Sequence, residues 1–344
     1  MNAAGSTAAG RRRWLTVAKW TLLLLVIAAV GWRAWRLWLE GRRSGGELEW
    51  APGWLVAAAI VYLVGWLPSV WYWRLLLADA GHPVGWLDAA RAFYCGHLGK
   101  YIPGKATVLV IRAGLLRGSG VPAATAALTA TWETLLLMIV GGVVGLALAP
   151  TLLDPATVEL LPVPLRQLVA RPVASAGLVI AVSLAGFPLL TRLVTRIAML
   201  MAGSSTAAAT VSTRRFLAGG AVFTLVWALH GLSLGLTLRG VGSTSLALAD
   251  WPGWTAAAGL ATAVGFVAVF APGGIGVREG LLIESLSRSG MAEQQAVAGA
   301  FCLRGVWLAA EIVAALALYY GLPRRTSEDP PADAVDRDSR PRRS

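Results

Sequence analysis

The chain has 344 residues, of which 56 % are hydrophobic and 14 % charged, and its mean hydropathy is +0.64; a soluble domain carries about 25 % charged residues. That balance excludes a soluble enzyme, because too few polar side chains exist to cover a wetted fold. A net charge of +12 does not point to nucleic acid either: the basic residues, all Arg except Lys19, Lys100 and Lys105, stand mainly between apolar runs, as in loops that face anionic lipid, and form no patch on a polar fold.

A membrane-spanning helix needs about 20 mostly apolar residues. In chain order the windows that meet this are Trp14–Leu39, Gly53–Leu77, Val121–Ala149, Val173–Leu190, Phe216–Leu238 and Ala296–Tyr320. The first follows Arg11-Arg12-Arg13, as a secretory leader would, yet it runs on through Trp32, Trp35 and Trp38 without a small-residue cleavage site. That predicts a retained span. Arg192, Arg196, Arg214 and Arg215, with no acid among them, separate the fourth window from the fifth. Both they and the basic N-terminus are expected in the cytoplasm. The chain thus divides into a cytoplasmic segment 1–13, a membrane domain 14–322, and a tail 323–344 whose Pro, Asp, Arg and Ser content predicts a disordered cytoplasmic end.

Two interruptions give the membrane domain its pattern. Pro103-Gly104 breaks a membrane-sized segment in the first half, and Pro272-Gly273-Gly274 breaks another 169 residues later, at the end of the apolar run Trp254–Phe270. A shift of 169 lays the second window on the fifth and the third on the last, which makes half-repeats of about 14–149 and 173–320. If each broken segment is a hairpin that enters and leaves on one side, each half has three crossings and the second half is inverted. The fold class expected is therefore an all-α polytopic membrane protein with six full spans and two re-entrant hairpins; eight full spans fit the same windows. Broken backbone at membrane depth is tolerated only beside protein or a water-filled cavity, and paired breaks in corresponding halves are the best sequence pointer to a transport site.

Near the breaks lie the chemically informative residues. Lys100 and Lys105 flank Pro103-Gly104, Arg112 follows, and Arg278 and Glu279 follow Gly274 and Gly276. Proline ends a helix and glycine allows close backbone approach, so a new helix N-terminus after each break would add its positive dipole end to these cations. Together they could hold a lipid phosphate; the alternative is that the cations only anchor the hairpins at the interface. Inside the windows stand Glu133, Arg304 and Glu311, each costly to bury alone. Glu133 and Arg304 fall at matching depths under the shift of 169, so a Glu133–Arg304 ion pair is expected, with Glu133 or Glu311 as the alternative carrier of a coupled proton. Glu279 is expected to pair with Arg278 or to cap its short helix, and His230 to be a packing residue. No catalytic triad, nucleotide loop or metal-ligand spacing is visible; Cys95 and Cys302 form no framework. No cofactor, no metal and no enzymatic activity are expected.

The stretch Gly96-His97-Leu98-Gly99-Lys100-Tyr101-Ile102-Pro103-Gly104-Lys105, and Phe270-Ala271-Pro272-Gly273-Gly274-Ile275-Gly276-Val277-Arg278-Glu279 after it, resemble the two signatures of the lysylphosphatidylglycerol synthase transmembrane-region family, also called flippase-like or UPF0104 proteins. The resemblance spans about Trp14 to Tyr320. It implies a multi-pass protein of a prokaryotic cytoplasmic membrane that moves an anionic or charged lipid, a phospholipid or polyprenyl-phosphate glycan, between leaflets. Its partners would be membrane lipids and, where it acts as an accessory subunit instead, envelope glycosyltransferases; a small-solute or ion transporter would suit the same architecture. Only 22 residues follow Leu322, too few for the soluble aminoacyl-transferase domain of the fused synthases, so synthase activity is not expected to carry over.

Overall fold

The computed structural model describes residues 50–101, 107–153, 158–160, 162–171, 211–243, 247–268, 274 and 276–321, with isolated residues in 32–39 and 177–196. The windows 14–39 and 173–190 therefore fall almost wholly outside the described residues, as do segment 1–13 and tail 323–344. Among the described residues every regular element is helical. In chain order they are α1 (Pro52–Asp79), α2 (Trp86–His97), α3 (Thr107–Leu116), α4 (Ala123–Leu148), the short α5 (Val163–Val169), α6 (Thr213–Gly240), α7 (Trp251–Val267), α8 (Val277–Arg288) and α9 (Glu293–Tyr320).

Four of these are long enough and apolar enough to cross a bilayer: α1, α4 with the 3-10 turn Ala149–Leu152 at its end, α6 and α9. They are apolar around most of their circumference, as expected of helices that meet lipid on one side and protein on the other. Exposed Val56, Ile60, Val64, Leu225, Val313 and Leu316 lie on their outer faces. Of the helices between them, α7 has 17 residues and the others are shorter. At about 1.5 Å per residue, α2 and α8 reach about 18 Å and α3 about 15 Å, well under the ~30 Å of hydrocarbon.

The element order repeats. A long helix, two shorter ones and a second long helix (α1 to α4) are followed later by the same series (α6 to α9), with α1, α6 and α9 each 28 residues long. The offset is not constant: α1 and α6 start 161 residues apart, whereas α4 and α9 start 170 apart. A single shift of 169 is thus one residue short for the second pair and eight long for the first, because α7 is longer than α2, with 17 residues against 12, and the connection that leads to it is longer as well.

The chain forms two compact units, whose boundaries cut the long helices after Tyr62, Leu137, Val226 and Trp307. In the unit that holds α2 and α3, these two helices pack together as a hairpin, and buried Trp73, Phe93, Leu116 and Leu136 form its core. Here Gly219 of α6 meets Tyr72 and Leu136 so closely that a Cβ would overlap both. In the unit that holds α7 and α8, those helices likewise pack as a hairpin, and the turn Ala149–Leu152 packs against both. Gly231 and Gly235 of α6 lie against Thr255 and Trp254 of α7 with no room for a side chain, the small-residue contact by which membrane helices approach.

Candidate functional site

In the α2–α3 hairpin, glycines set how near the arms come. A Cβ on Gly99 would lie 2.7 Å from the Val108 nitrogen, and one on Gly96 2.6 Å from Arg112 Cγ. The Arg112 side chain therefore crosses the hairpin over Gly96, four residues before Lys100. Its guanidinium donates to Glu133 Oε2 of α4 at 2.7 Å, with the two side chains 2 % and 1 % exposed. Thr134 donates to the same oxygen at 3.3 Å. The guanidinium lies over Phe93 and Trp73, 4.1 and 4.9 Å from the ring centroids, and the Trp73 indole is fixed by donating to Thr129 Oγ1. A planar, weakly hydrated cation against aromatic faces is the form of positive charge least costly to bury.

Lys100 closes the same hairpin in a different way. It lies in the 3-10 turn Leu98–Tyr101 that continues α2, and its ammonium bonds Glu311 Oε1 of α9 at 2.5 Å. Glu311 is wholly buried, whereas the Lys100 side chain is 28 % exposed. The lysine also stands 5.1 Å from the Tyr101 ring. A buried carboxylate thus faces a cation that still reaches the surroundings.

In the other unit the hairpin of α7 and α8 is built around Gly274, whose φ of +70° suits glycine alone at so crowded a point; its Cβ would come 3.1 Å from Gly265 Cα. Beyond it α8 begins at Val277, and Glu279 accepts from the Gly276 N–H at 2.7 Å with Oε2. Its Oε1 takes the Arg304 guanidinium of α9 at 2.5 Å. Arg278, 8 % exposed, lies over the Trp307 ring at 4.3 Å. Tyr62 stacks on the Trp307 ring, 13° from parallel, and the Trp307 indole N–H donates to Ser233. His230 is packed among Tyr62, Trp227 and Trp307.

Where a Glu133–Arg304 pair was expected, each residue has a partner of its own. Glu133 is taken by Arg112 and Arg304 by Glu279, each inside its own unit. Arg112 and Glu279 stand on the second arm of each hairpin, directly before α4 and α9 in the chain, so each reaches a charge on the long helix that follows it, while Lys100 of the first hairpin reaches Glu311 on α9. The polarity is reversed between the two. In the first the hairpin brings the cation to a carboxylate on the long helix; in the second it brings the carboxylate to an arginine. Glu279 does cap its helix, as one of the two expectations held. Pro103, Gly104, Lys105, Pro272 and Gly273 lie outside the described residues. Trp73 and Phe93 were not anticipated as parts of the site, and Gly96 stood only as the first residue of the first family signature. The three-residue spacing of Phe93 and Gly96, which places both on one helix face toward α3, was the available signal.

Among the described residues no group of His, Cys, Asp and Glu is arranged to hold a metal. The fold and its buried ion pairs define a multi-pass, all-helical membrane protein with paired charges inside the bundle. The chain belongs to the lysylphosphatidylglycerol synthase transmembrane-region family, whose model matches residues 23–315. It is thus a membrane protein of a family tied to lipid handling, and the match lies in the transmembrane region. No curated protein matches the chain significantly.

Proposed function

We propose that the protein is a lipid translocase that carries an anionic or otherwise charged lipid, phospholipid or polyprenyl-phosphate glycan, between the leaflets. The observation that carries this reading is the pair of cations on the first hairpin, Arg112 and Lys100, each held against a buried carboxylate. Charge inside an apolar bundle costs several kcal/mol unless it is used or paired, and cations of this kind match a phosphate in charge and hydrogen bonding. Family membership supports lipid as the cargo.

The architecture supports alternating access. The short α2, α3 and α8 are read as arms of re-entrant hairpins in an inverted repeat, with both termini in the cytoplasm. In this reading the repeat is inverted and the two hairpins open toward opposite faces. A lipid headgroup would be received at one hairpin and released at the other while its chains stay in the bilayer.

Proteoliposomes with fluorescent phosphatidylglycerol or a polyprenyl-phosphate probe test this directly. Protein-dependent leaflet exchange is expected, lowered roughly tenfold by Arg112→Gln, the loss of one charge-assisted contact of about 1.4 kcal/mol. Absence of exchange for every charged lipid would favour a non-transporting subunit that works with envelope glycosyltransferases.

A further inference from the structure

We infer that the resting protein carries its own substitutes for the lipid phosphate: Glu311 occupies the anion position on Lys100, and Glu133 that on Arg112. This inference rests on the translocase reading and adds to it a residue-level rule for affinity.

Lys100 and Arg112 lie on one hairpin, within one unit, and each donates a hydrogen bond to a carboxylate oxygen on a long helix, at 2.5 and 2.7 Å. A carboxylate and a phosphate oxygen are alike to these donors in charge and in the bonds they accept. An arriving phosphate competes with the carboxylate for the charge of the cation, even where a further N–H of that cation is open to it. The affinity of the protein for an anionic headgroup is therefore a difference between two pairings of the same cation.

The two pairs are not equally open. Lys100 keeps 28 % of its side chain exposed, so the exchange starts there, and Glu311 behind it is wholly buried. Arg112 and Glu133 are closed in by Phe93, Trp73 and Gly96, so exchange at that pair needs movement of the hairpin. Arg112 Nε has no hydrogen-bond partner. Its indole and phenyl neighbours supply only ring faces, which leaves this N–H available to a second oxygen of a bidentate anion such as a phosphate. The second unit repeats the arrangement with reversed polarity. There the cation set free by displacement is Arg304 on α9, and the displaced group is Glu279 of the hairpin, whose Oε2 keeps its bond to Gly276.

An ion pair kept for architecture and one kept as a substrate substitute respond oppositely to loss of the carboxylate charge. Glu311→Gln and Glu133→Gln retain shape and one acceptor oxygen but no longer compete as anions. Binding is measured on the full chain in detergent, with dioctanoyl phosphatidylglycerol, dioctanoyl phosphatidylcholine and glycerol 1-phosphate as probes. The expected result is roughly tenfold tighter binding of phosphatidylglycerol by each variant, with phosphatidylcholine tightened less. Lys100→Gln and Arg112→Gln weaken it. Tightening that appears equally with glycerol 1-phosphate supports the substitution and makes the phosphate, not the lipid, the recognised group. Unchanged or weaker binding in both Glu variants, beside measurable wild-type binding, overturns the inference and leaves the translocase reading standing. No binding by wild type or by any variant overturns both. Glu133→Gln serves where Glu311→Gln does not fold, and loss of folded protein in both would make the carboxylates structural and overturn the inference.

Discussion

Arg112 on α3 and Glu133 on α4, 21 residues apart in the chain, meet at 2.7 Å with almost no exposure of either side chain. Removing one partner of such a pair leaves a buried charge alone, whereas removing both leaves only volume to fill. Arg112→Ala is expected to cost about 3–5 kcal/mol. The double variant Arg112→Met with Glu133→Leu is expected to be more stable than either single variant. Thermal unfolding in detergent gives the order; a double variant less stable than both singles would contradict it.

The first hairpin depends on two close approaches. Gly96→Ala places a Cβ 2.6 Å from a flexible side-chain atom of Arg112, and Gly99→Ala places one 2.7 Å from the backbone of Val108. A side chain can move and a backbone cannot, so Gly99→Ala is expected to be the worse, at about 2–3 kcal/mol against about 1–2 for Gly96→Ala. Gly114→Ala, in α3 with open space around it, should gain about 0.5–1 kcal/mol. Denaturation midpoints of the three variants check the ranking.

Gly274 and Gly290 share a left-handed backbone, with φ of +70° and +88°, but only Gly274 is crowded. Alanine at Gly290 is expected to cost the conformational strain alone, about 1–2 kcal/mol. Alanine at Gly274 should cost more, because its Cβ also meets Gly265. Equal losses, read from unfolding midpoints, would show that the approach of Gly265 and Gly274 contributes little.

Gly120 ends the turn after α3 and Gly290 the turn after α8, at corresponding points of the repeat. With Cys95 and Cys302 replaced by serine, single cysteines at Gly120 and Gly290 are expected to react with an impermeant maleimide from opposite faces of the membrane. Labelling of both from the same face would remove the inverted arrangement of the hairpins.

The membrane class and the repeated order of elements were legible in the sequence. Apolar windows near 53–77, 121–149, 216–238 and 296–320 correspond to α1, α4, α6 and α9 within a few residues, because burial in lipid demands uniform apolarity and leaves an unambiguous run. Helices begin at Thr107 and Val277, a few residues after the two Pro-Gly sites that the sequence marks. The residues of the buried ion pairs, Lys100, Arg112, Glu133, Glu279, Arg304 and Glu311, stood out because ionisable groups are rare in such a chain.

Their pairing was not legible. Sequence symmetry joined Glu133 to Arg304, and the fold joined Glu133 to Arg112, Arg304 to Glu279 and Lys100 to Glu311. Composition and hydropathy act residue by residue, so the chain alone determined which segments enter the membrane and which charges go with them. Partners depend on how two helices face each other, and that is set by contacts of a few ångströms: Gly96 against Arg112, Gly99 against Val108, and Gly265 against Gly274. Only the tertiary structure decided these, because a missing Cβ permits an approach but does not say which neighbour makes it.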